Sequence, residues 1–186
     1  MALTESNMLP LGTPAPDFEL PDVVSGQLIQ LYEQSSKDAY LIMFICNHCP
    51  YVVHVMDELV NLTNEYLKKN IAIFAISSND VSSYPQDGPD RMKELALLKN
   101  FSFPYLFDET QEIAKAYDAA CTPDFYVFDR NKILKYRGRL DSSRPQSGVP
   151  LSGRDLRNAL EAVLSDQPVD AEQFPSLGCN IKWKKN

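Results

Sequence analysis

The chain has 186 residues, a net charge of −7, 44% apolar residues and 23% charged residues. That length and composition predict a single folded domain over 1–186 with a substantial core, about 12–165, and a C-terminal tail over 166–186. The acidic balance excludes a nucleic-acid binder, since the basic residues are scattered apart from Lys182, Lys184 and Lys185 near the end.

The opening Met1-Ala2-Leu3-Thr4-Glu5-Ser6-Asn7 has neither a basic nor an apolar stretch of the kind a secretory signal needs. The longest apolar run, 40–46, is too short to cross a bilayer, so no membrane partner and a cytoplasmic location are expected. In that compartment the four cysteines point to catalysis, redox sensing or metal binding rather than to structural disulfides.

In chain order, 1–13 is a lead-in and Thr13-Pro14-Ala15-Pro16 is extended by its two prolines. Asp17-Phe18-Glu19-Leu20 alternates as a short strand. Leu28, Ile29 and Leu31 mark a second after the Ser25-Gly26 turn, and 33–39 is a polar loop. Residues 40–46 are apolar on both faces, which predicts a strand covered on both sides. Val52, Val55, Met56, Leu59 and Leu62 then recur at helical spacing over roughly 49–69, and 71–76 is a second apolar strand. Together these make a β-α-β unit with parallel strands.

Residues 77–88 form a polar loop at the strand end where α/β folds gather their binding groups. Asp90 is the expected cap of a helix over 91–99, with Met92, Leu95, Ala96 and Leu98 inward. The sequence Phe103-Pro104-Tyr105-Leu106-Phe107 reads as a strand whose proline suggests an edge or strand-start position, and 110–117 as a short helix. Strands over 125–129 and 133–137 form an antiparallel hairpin, 141–150 is a loop, and 154–165 is a helix with Leu156, Ala159, Leu160, Val163 and Leu164 inward. In the tail, Phe174, Leu177, Ile181 and Trp183 suggest packing back onto the body.

The chemistry concentrates at Cys46-Asn47-His48-Cys49-Pro50, where the apolar strand gives way to the helix. A helix start offers unpaired N–H groups and a positive dipole end, both of which stabilise a thiolate. Cys46 is expected to be the solvent-reaching nucleophile and Cys49 the covered resolving thiol, close enough for a disulfide. His48, partly protonated near neutral pH, is expected to favour a Cys46 thiolate, and Pro50 suits the first helical turn. Metal binding is a weaker reading, because zinc takes about four ligands and His54 is the only other histidine. A second signal is Cys121-Thr122-Pro123-Asp124-Phe125, leading into a strand.

These motifs resemble the thioredoxin-like superfamily, in the branch joining alkyl hydroperoxide reductase/thiol-specific antioxidant (AhpC/TSA, redoxin) proteins to thiol-disulfide oxidoreductases. Thr13-Pro14-Ala15-Pro16-Asp17-Phe18-Glu19-Leu20 resembles the branch's opening, and Cys46-Asn47-His48-Cys49 stands where it carries its dithiol. Thr122-Pro123 matches its cis-proline loop, which implies that the backbone there pairs with a substrate peptide. Gly178-Cys179-Asn180-Ile181-Lys182-Trp183-Lys184 resembles a narrower peroxiredoxin-like group. In the peroxiredoxin register Cys49 takes the peroxidatic position and Cys46 replaces the threonine, but Ile42 stands where the motif proline belongs, and only Arg137 and Arg139 are candidates for its arginine. Tyr40 and Val52 replace the acidic residues of the thioredoxins and of the tethered oxidoreductases, so the proton acceptor is unassigned.

The resemblance implies a thioredoxin-like α/β fold with a central mixed sheet flanked by helices. The function it implies is thiol-disulfide oxidoreduction with an antioxidant role through Cys46 and Cys49, assisted by His48, with Thr122 and Pro123 binding substrate. Cys121 and Cys179 are candidates for a third redox thiol. The partners implied are a protein disulfide or thiol and a thioredoxin- or glutathione-type electron donor, with no organic cofactor or metal. The alternatives are a thiol-dependent peroxidase acting on hydrogen peroxide or alkyl hydroperoxides, and a non-catalytic binding module or metal carrier.

Overall fold

The structure, a computed structural model, describes residues 3–34 and 36–185. Met1, Ala2, Ser35 and Asn186, which fall in the lead-in, the 33–39 loop and the tail of the sequence reading, lie outside the described residues. The elements run β1 (Leu3–Glu5), β2 (Glu19–Pro21), β3 (Leu28–Gln30), β4 (Ala39–Phe44), α1 (Pro50–Tyr66), β5 (Ile71–Ser77) and α2 (Pro89–Leu98). They continue with β6 (Tyr105–Phe107), α3 (Glu112–Ala116), β7 (Cys121–Thr122), β8 (Asp124–Asp129), β9 (Leu134–Gly138), α4 (Arg154–Leu164) and β10 (Leu177–Asn180).

The central sheet has the order β6-β5-β4-β8-β9. Strands β4, β5 and β6 are parallel, as the β-α-β reading requires, and β8 and β9 add the antiparallel hairpin. β4 and β5 are buried at every position because both sheet faces are covered. Along β4 the side chains alternate. Ala39, Leu41 and Met43 join Val52, Met56 and Leu59 of α1 and Leu156 and Leu160 of α4, whereas Tyr40, Ile42 and Phe44 join Phe18, Leu31 and Tyr117 on the other face. Each fully buried aliphatic side chain contributes about 1.5–3 kcal/mol, so this double-sided burial is what holds β4 at the centre. α1 ends before Leu67, where the 3.6-residue apolar repeat stops.

Two details of α2 differ from the sequence reading. Its N-cap is Gly88, and Asp90 lies in the first turn rather than at the cap. Leu98 is 75% exposed, whereas Met92 and Ala96 are buried and Leu95 packs partly buried against the core. The expected edge position of the Pro104 strand holds.

A smaller sheet, β1-β10-β7, ties the chain ends to the body. β10 pairs antiparallel with β7 in the register Cys179↔Thr122 and Asn180↔Cys121. Beyond it the tail is fastened by Asp80 N–H to the Lys182 carbonyl at 2.7 Å, by Lys182 N–H to Asn79 Oδ1 at 2.8 Å, and by the Gln111 amide to the Lys182 carbonyl at 2.8 Å. Ile181 is buried as its apolar character suggests, but Phe174 and Trp183 are 42% and 40% exposed.

The close approach of β10 to β7 requires glycine at 178. A Cβ there would sit 2.0 Å from the Thr122 carbonyl oxygen and 2.7 Å from its carbon, both backbone atoms that cannot yield by a rotamer change. Gly178→Ala is therefore expected to lower stability by about 1–3 kcal/mol through overpacking. In urea unfolding the midpoint should fall; an unchanged midpoint would mean that the tail strand is not held against Thr122.

Candidate active site

The site forms where the C-terminal end of β4, the start of α1, the loop after β5 and the two-stranded contact of β7 with β10 converge. Cys46 follows β4 by two residues and Cys49 is the N-cap of α1, with Pro50 at its first position. The Thr122–Pro123 bond is cis, in keeping with the resemblance. The sulfurs of the motif both meet Thr122. Cys46 Sγ lies 3.3 Å from Thr122 Oγ1, and Cys49 Sγ donates to the Thr122 carbonyl at 3.2 Å.

Cys179, carried in by β10, places its Sγ 2.7 Å from Cys49 Sγ. Cys121, on the neighbouring position of β7, instead turns its sulfur towards the Pro123 carbonyl at 3.9 Å, and burial pushes its thiol far up. The structure thus gathers Cys46, Cys49, Cys179 and Thr122, and sets Cys121 to one side.

The expected solvent reach of Cys46 is not found. Cys46 is 1% and Cys49 0% exposed, because the loop after β5 covers one side and the tail strand the other. The expected charge distribution is also reversed. Cys49 is pulled down to about 5, first by the hydrogen bond from Cys46, against burial, and then by Cys179 and the Val52 N–H in the first turn of α1. Cys46 is pushed well up by its hydrogen bond to Cys49, by burial and by the nearby Asp87 carboxylate, with Thr122 opposing. Cys179 is raised to about 12 by burial and by its interaction with Cys49. In this tightly coupled trio the hydrogen bonds from Cys46, Cys179 and the Val52 N–H favour negative charge on Cys49 over Cys46 and Cys179.

Asp87 was not visible in the sequence. It closes a 3-10 turn, Pro85–Asp87, in the polar loop that the sequence placed near the site, and it is fully buried. Its Oδ1 accepts the Asn47 N–H at 2.9 Å and its Oδ2 accepts the Asn79 amide at 2.8 Å. His48 Nδ1 sits 2.6 Å from Oδ2, although the ring lies off the ideal hydrogen-bond line. His48 also stacks on Tyr84, with centroids 5.7 Å apart and planes at 9°. The carboxylate brought in with His48 raises Cys46 and so opposes the thiolate expected there.

Donor atoms of Cys46, His48 and Asp87 lie within 4.8 Å of one another, so these three are the residues that could approach a metal. They make three ligands rather than about four, and both Asp87 oxygens already accept hydrogen bonds, so the set fits proton handling better than a structural zinc site. The peroxiredoxin arginine has no counterpart in this arrangement among the described residues. Arg137 is engaged by the Leu9 carbonyl and Gln173, and Arg139 by Asp155. A cavity of about 560 Å³ between α4 and residues 168–174 is lined by none of the four cysteines and lies apart from this chemistry.

Beyond Pro123, Asp124 is fully buried and accepts the Tyr126 hydroxyl at 2.8 Å and the Phe125 N–H at 3.1 Å. Burial outweighs these bonds and raises its carboxyl to about 7.

The AhpC/TSA family model matches residues 11–137. An uncharacterised conserved protein from Geobacillus kaustophilus, known from its crystal structure, is 54% identical over 100% of this chain and 98% of its own, with a TM-score of 0.98. A hypothetical protein from Sinorhizobium meliloti is 43% identical over 98% of this chain and 100% of its own, with a TM-score of 0.96. The thiol-disulfide oxidoreductase ResA of Geobacillus kaustophilus is 24% identical over 134 residues, 71% of each chain. The fold is thioredoxin-like. Among the described residues, no helix is long and apolar enough to cross a membrane.

Two outcomes test the electrostatics. Asp124 has a folded-state pKa of about 7 against an ordinary 3.8, so the folded state binds its proton more tightly than the unfolded state does. The contribution of Asp124 to stability is then fully present below pH ~4, is lost as pH rises towards ~7 and is flat above, a loss on the order of 4 kcal/mol. Asp124→Asn keeps the acceptor for Tyr126 and is expected to remove that slope in urea titrations run from acid to neutral pH; an unaltered slope would refute the assignment. Asp87→Asn removes the carboxylate that raises Cys46, so the pH profile of Cys46 alkylation by iodoacetamide should move to lower pH. A shift upward would show that Asp87 acts on Cys46 mainly through His48.

Proposed function

This chain belongs to the AhpC/TSA family, and we propose that it is a thiol-disulfide oxidoreductase working through the Cys46–Cys49 dithiol. The observation that carries the reading is that both sulfurs of the motif bind the same residue, Thr122, at the cis-proline. The ResA likeness supports the same reaction class.

In the reduced cluster Cys49 gives up the proton that it donates to the Thr122 carbonyl, and Cys46 hydrogen-bonds to the resulting thiolate. Passing the Cys46 proton across gives a Cys46 thiolate and a Cys49 thiol without creating a second buried charge. The Cys46 thiolate attacks a partner disulfide, forming a mixed disulfide and releasing one partner sulfur as thiolate, which takes up a proton. Cys49, deprotonated in turn, attacks Cys46 Sγ and expels the second partner thiolate, leaving the Cys46–Cys49 disulfide. The His48–Asp87 pair beside Cys46 is the proton store for these steps, filling the role left unassigned by Tyr40 and Val52. A thioredoxin- or glutathione-type thiol returns the dithiol to the reduced state, and the antioxidant role is the repair of oxidised protein thiols.

Docking along Thr122 needs one revision. Ile181 N–H bonds to the Ala120 carbonyl at 3.0 Å in the β7–β10 register, so the alternation of an antiparallel ladder turns the N–H and C=O of Thr122 towards Cys179. The chain's own tail thus takes the backbone edge that the resemblance gives to a substrate peptide. Partner contact with Cys46 is instead proposed from the side of the loop after β5, where Asn47 and His48 are half-buried.

Reduced protein is expected to reduce insulin disulfides. Cys46→Ser should fall to the rate of the chemical reductant alone, and Cys49→Ser should accumulate mixed disulfides on Cys46. Full activity in Cys46→Ser would sink the role assignment. Hydrogen peroxide should oxidise the protein at the rate of an ordinary thiol; far faster oxidation confined to one cysteine would replace this reading with a peroxidase.

A further inference from the structure

The position of Cys179 goes beyond a two-cysteine scheme. Its sulfur is 2.7 Å from Cys49 Sγ, whereas a disulfide bond is about 2.0 Å, so closing the bond needs the sulfurs to approach by about 0.7 Å. Cys179 is held there from both sides: β10 lies between β1 and β7, with Cys179 opposite Leu3 on one strand and Thr122 on the other. Gly178 fits against the Thr122 carbonyl, where any side chain would clash. Residues 177–180 are therefore built to hold a thiol against Cys49. Cys49 has sulfur neighbours in Cys46 and Cys179, which makes it the middle atom of a three-sulfur cluster.

We propose that Cys179 is a third redox thiol, and that the oxidised protein carries its disulfide on Cys49 in two interchanging forms, Cys46–Cys49 and Cys49–Cys179. The proposal rests on the dithiol reading for the source of the first disulfide. The Cys179 sulfur attacks Cys49 Sγ; the Cys49–Cys179 bond forms, the Cys46–Cys49 bond breaks, and Cys46 leaves as a thiolate that takes the proton Cys179 gave up. One disulfide and one thiol stand on each side of this exchange, so it needs no oxidant or reductant. Its effect is to move the disulfide beneath the tail strand and return Cys46 to the thiol state next to His48 and Asp87. Cys46 is then available to a second thiol or disulfide while the protein still holds its oxidising equivalent.

The test uses oxidised glutathione as the probe. Wild type and Cys46→Ser are equilibrated with mixtures of oxidised and reduced glutathione, quenched in acid, alkylated, and mapped by peptide mass spectrometry. In Cys46→Ser, Cys49 first becomes glutathionylated and Cys179 then displaces glutathione, so the expected product is a Cys49–Cys179 disulfide with no bound glutathione. In wild type both disulfides are expected, in a ratio that does not change when the glutathione mixture changes, because the two forms are isomers. The proposal is overturned if Cys46→Ser stays glutathionylated on Cys49 with Cys179 still alkylatable. It is equally overturned if oxidised wild type contains Cys46–Cys49 alone, a measurement that decides the matter even if the variant does not fold. The two readings fail separately. Insulin reduction with Cys179 always a thiol removes the relay and keeps the dithiol function; a Cys49–Cys179 disulfide in a protein that reduces no disulfide does the reverse.

Discussion

The antiparallel contact between β10 and β7 is the constraint on which the site depends. Two residues of β7 precede the cis-proline, and without a partner strand the Thr122 carbonyl and the Cys49 sulfur would face water. With β10 in place, Cys49, Cys179 and Thr122 are enclosed together at exposures of 0%, 5% and 3%. In such a desolvated space one negative charge is tolerated where several donors converge on it, and a second is not. This accounts for the pattern of the three thiols: the lowered one lies at the helix start, and the two raised ones share its enclosure.

The same contact explains where sequence reasoning succeeds and where it stops. The β4-α1-β5 unit is legible because its apolar residues repeat with the period of the element, and both faces of β4 are filled by side chains of the expected type. The dithiol and Thr122-Pro123 are legible as short motifs with defined spacing. Leu177-Gly178-Cys179-Asn180 carries no periodic signal of a strand: it is a strand only because β1 and β7 lie on either side of it, a tertiary fact that four residues cannot encode by periodicity. Asp87 is hidden for a related reason. It is one acid in a polar loop, 40 residues along the chain from Asn47, and its meaning comes from the turn that delivers it to the Asn47 N–H. The exposure expected for Cys46 fails because strand-to-helix placement describes the local backbone but not the loop and tail that fold over it.

The enclosure of the cluster is not equally strong on its two sides. Over Cys46 the covering loop is held by side-chain contacts: Asn47 N–H to Asp87, the Asn47 amide to the Gln86 carbonyl at 2.9 Å, His48 to Asp87, and the Tyr105 hydroxyl to Asn47 Oδ1 at 3.1 Å. Over Cys49 and Cys179 the cover is a strand paired on both edges and tied beyond its end through Lys182 to Asn79, Asp80 and Gln111. A typical hydrogen bond contributes about 0.5–1.5 kcal/mol net, so releasing a few side-chain contacts costs far less than stripping a strand from two neighbours. On the proposed reading local opening follows the more weakly held side and uncovers Cys46 first, while Cys49 and Cys179 are reached only by a rarer opening of the strand side. The proposed division of labour between Cys46 and the Cys49–Cys179 pair thus rests on which segments cover them, not on the intrinsic reactivity of the cysteines.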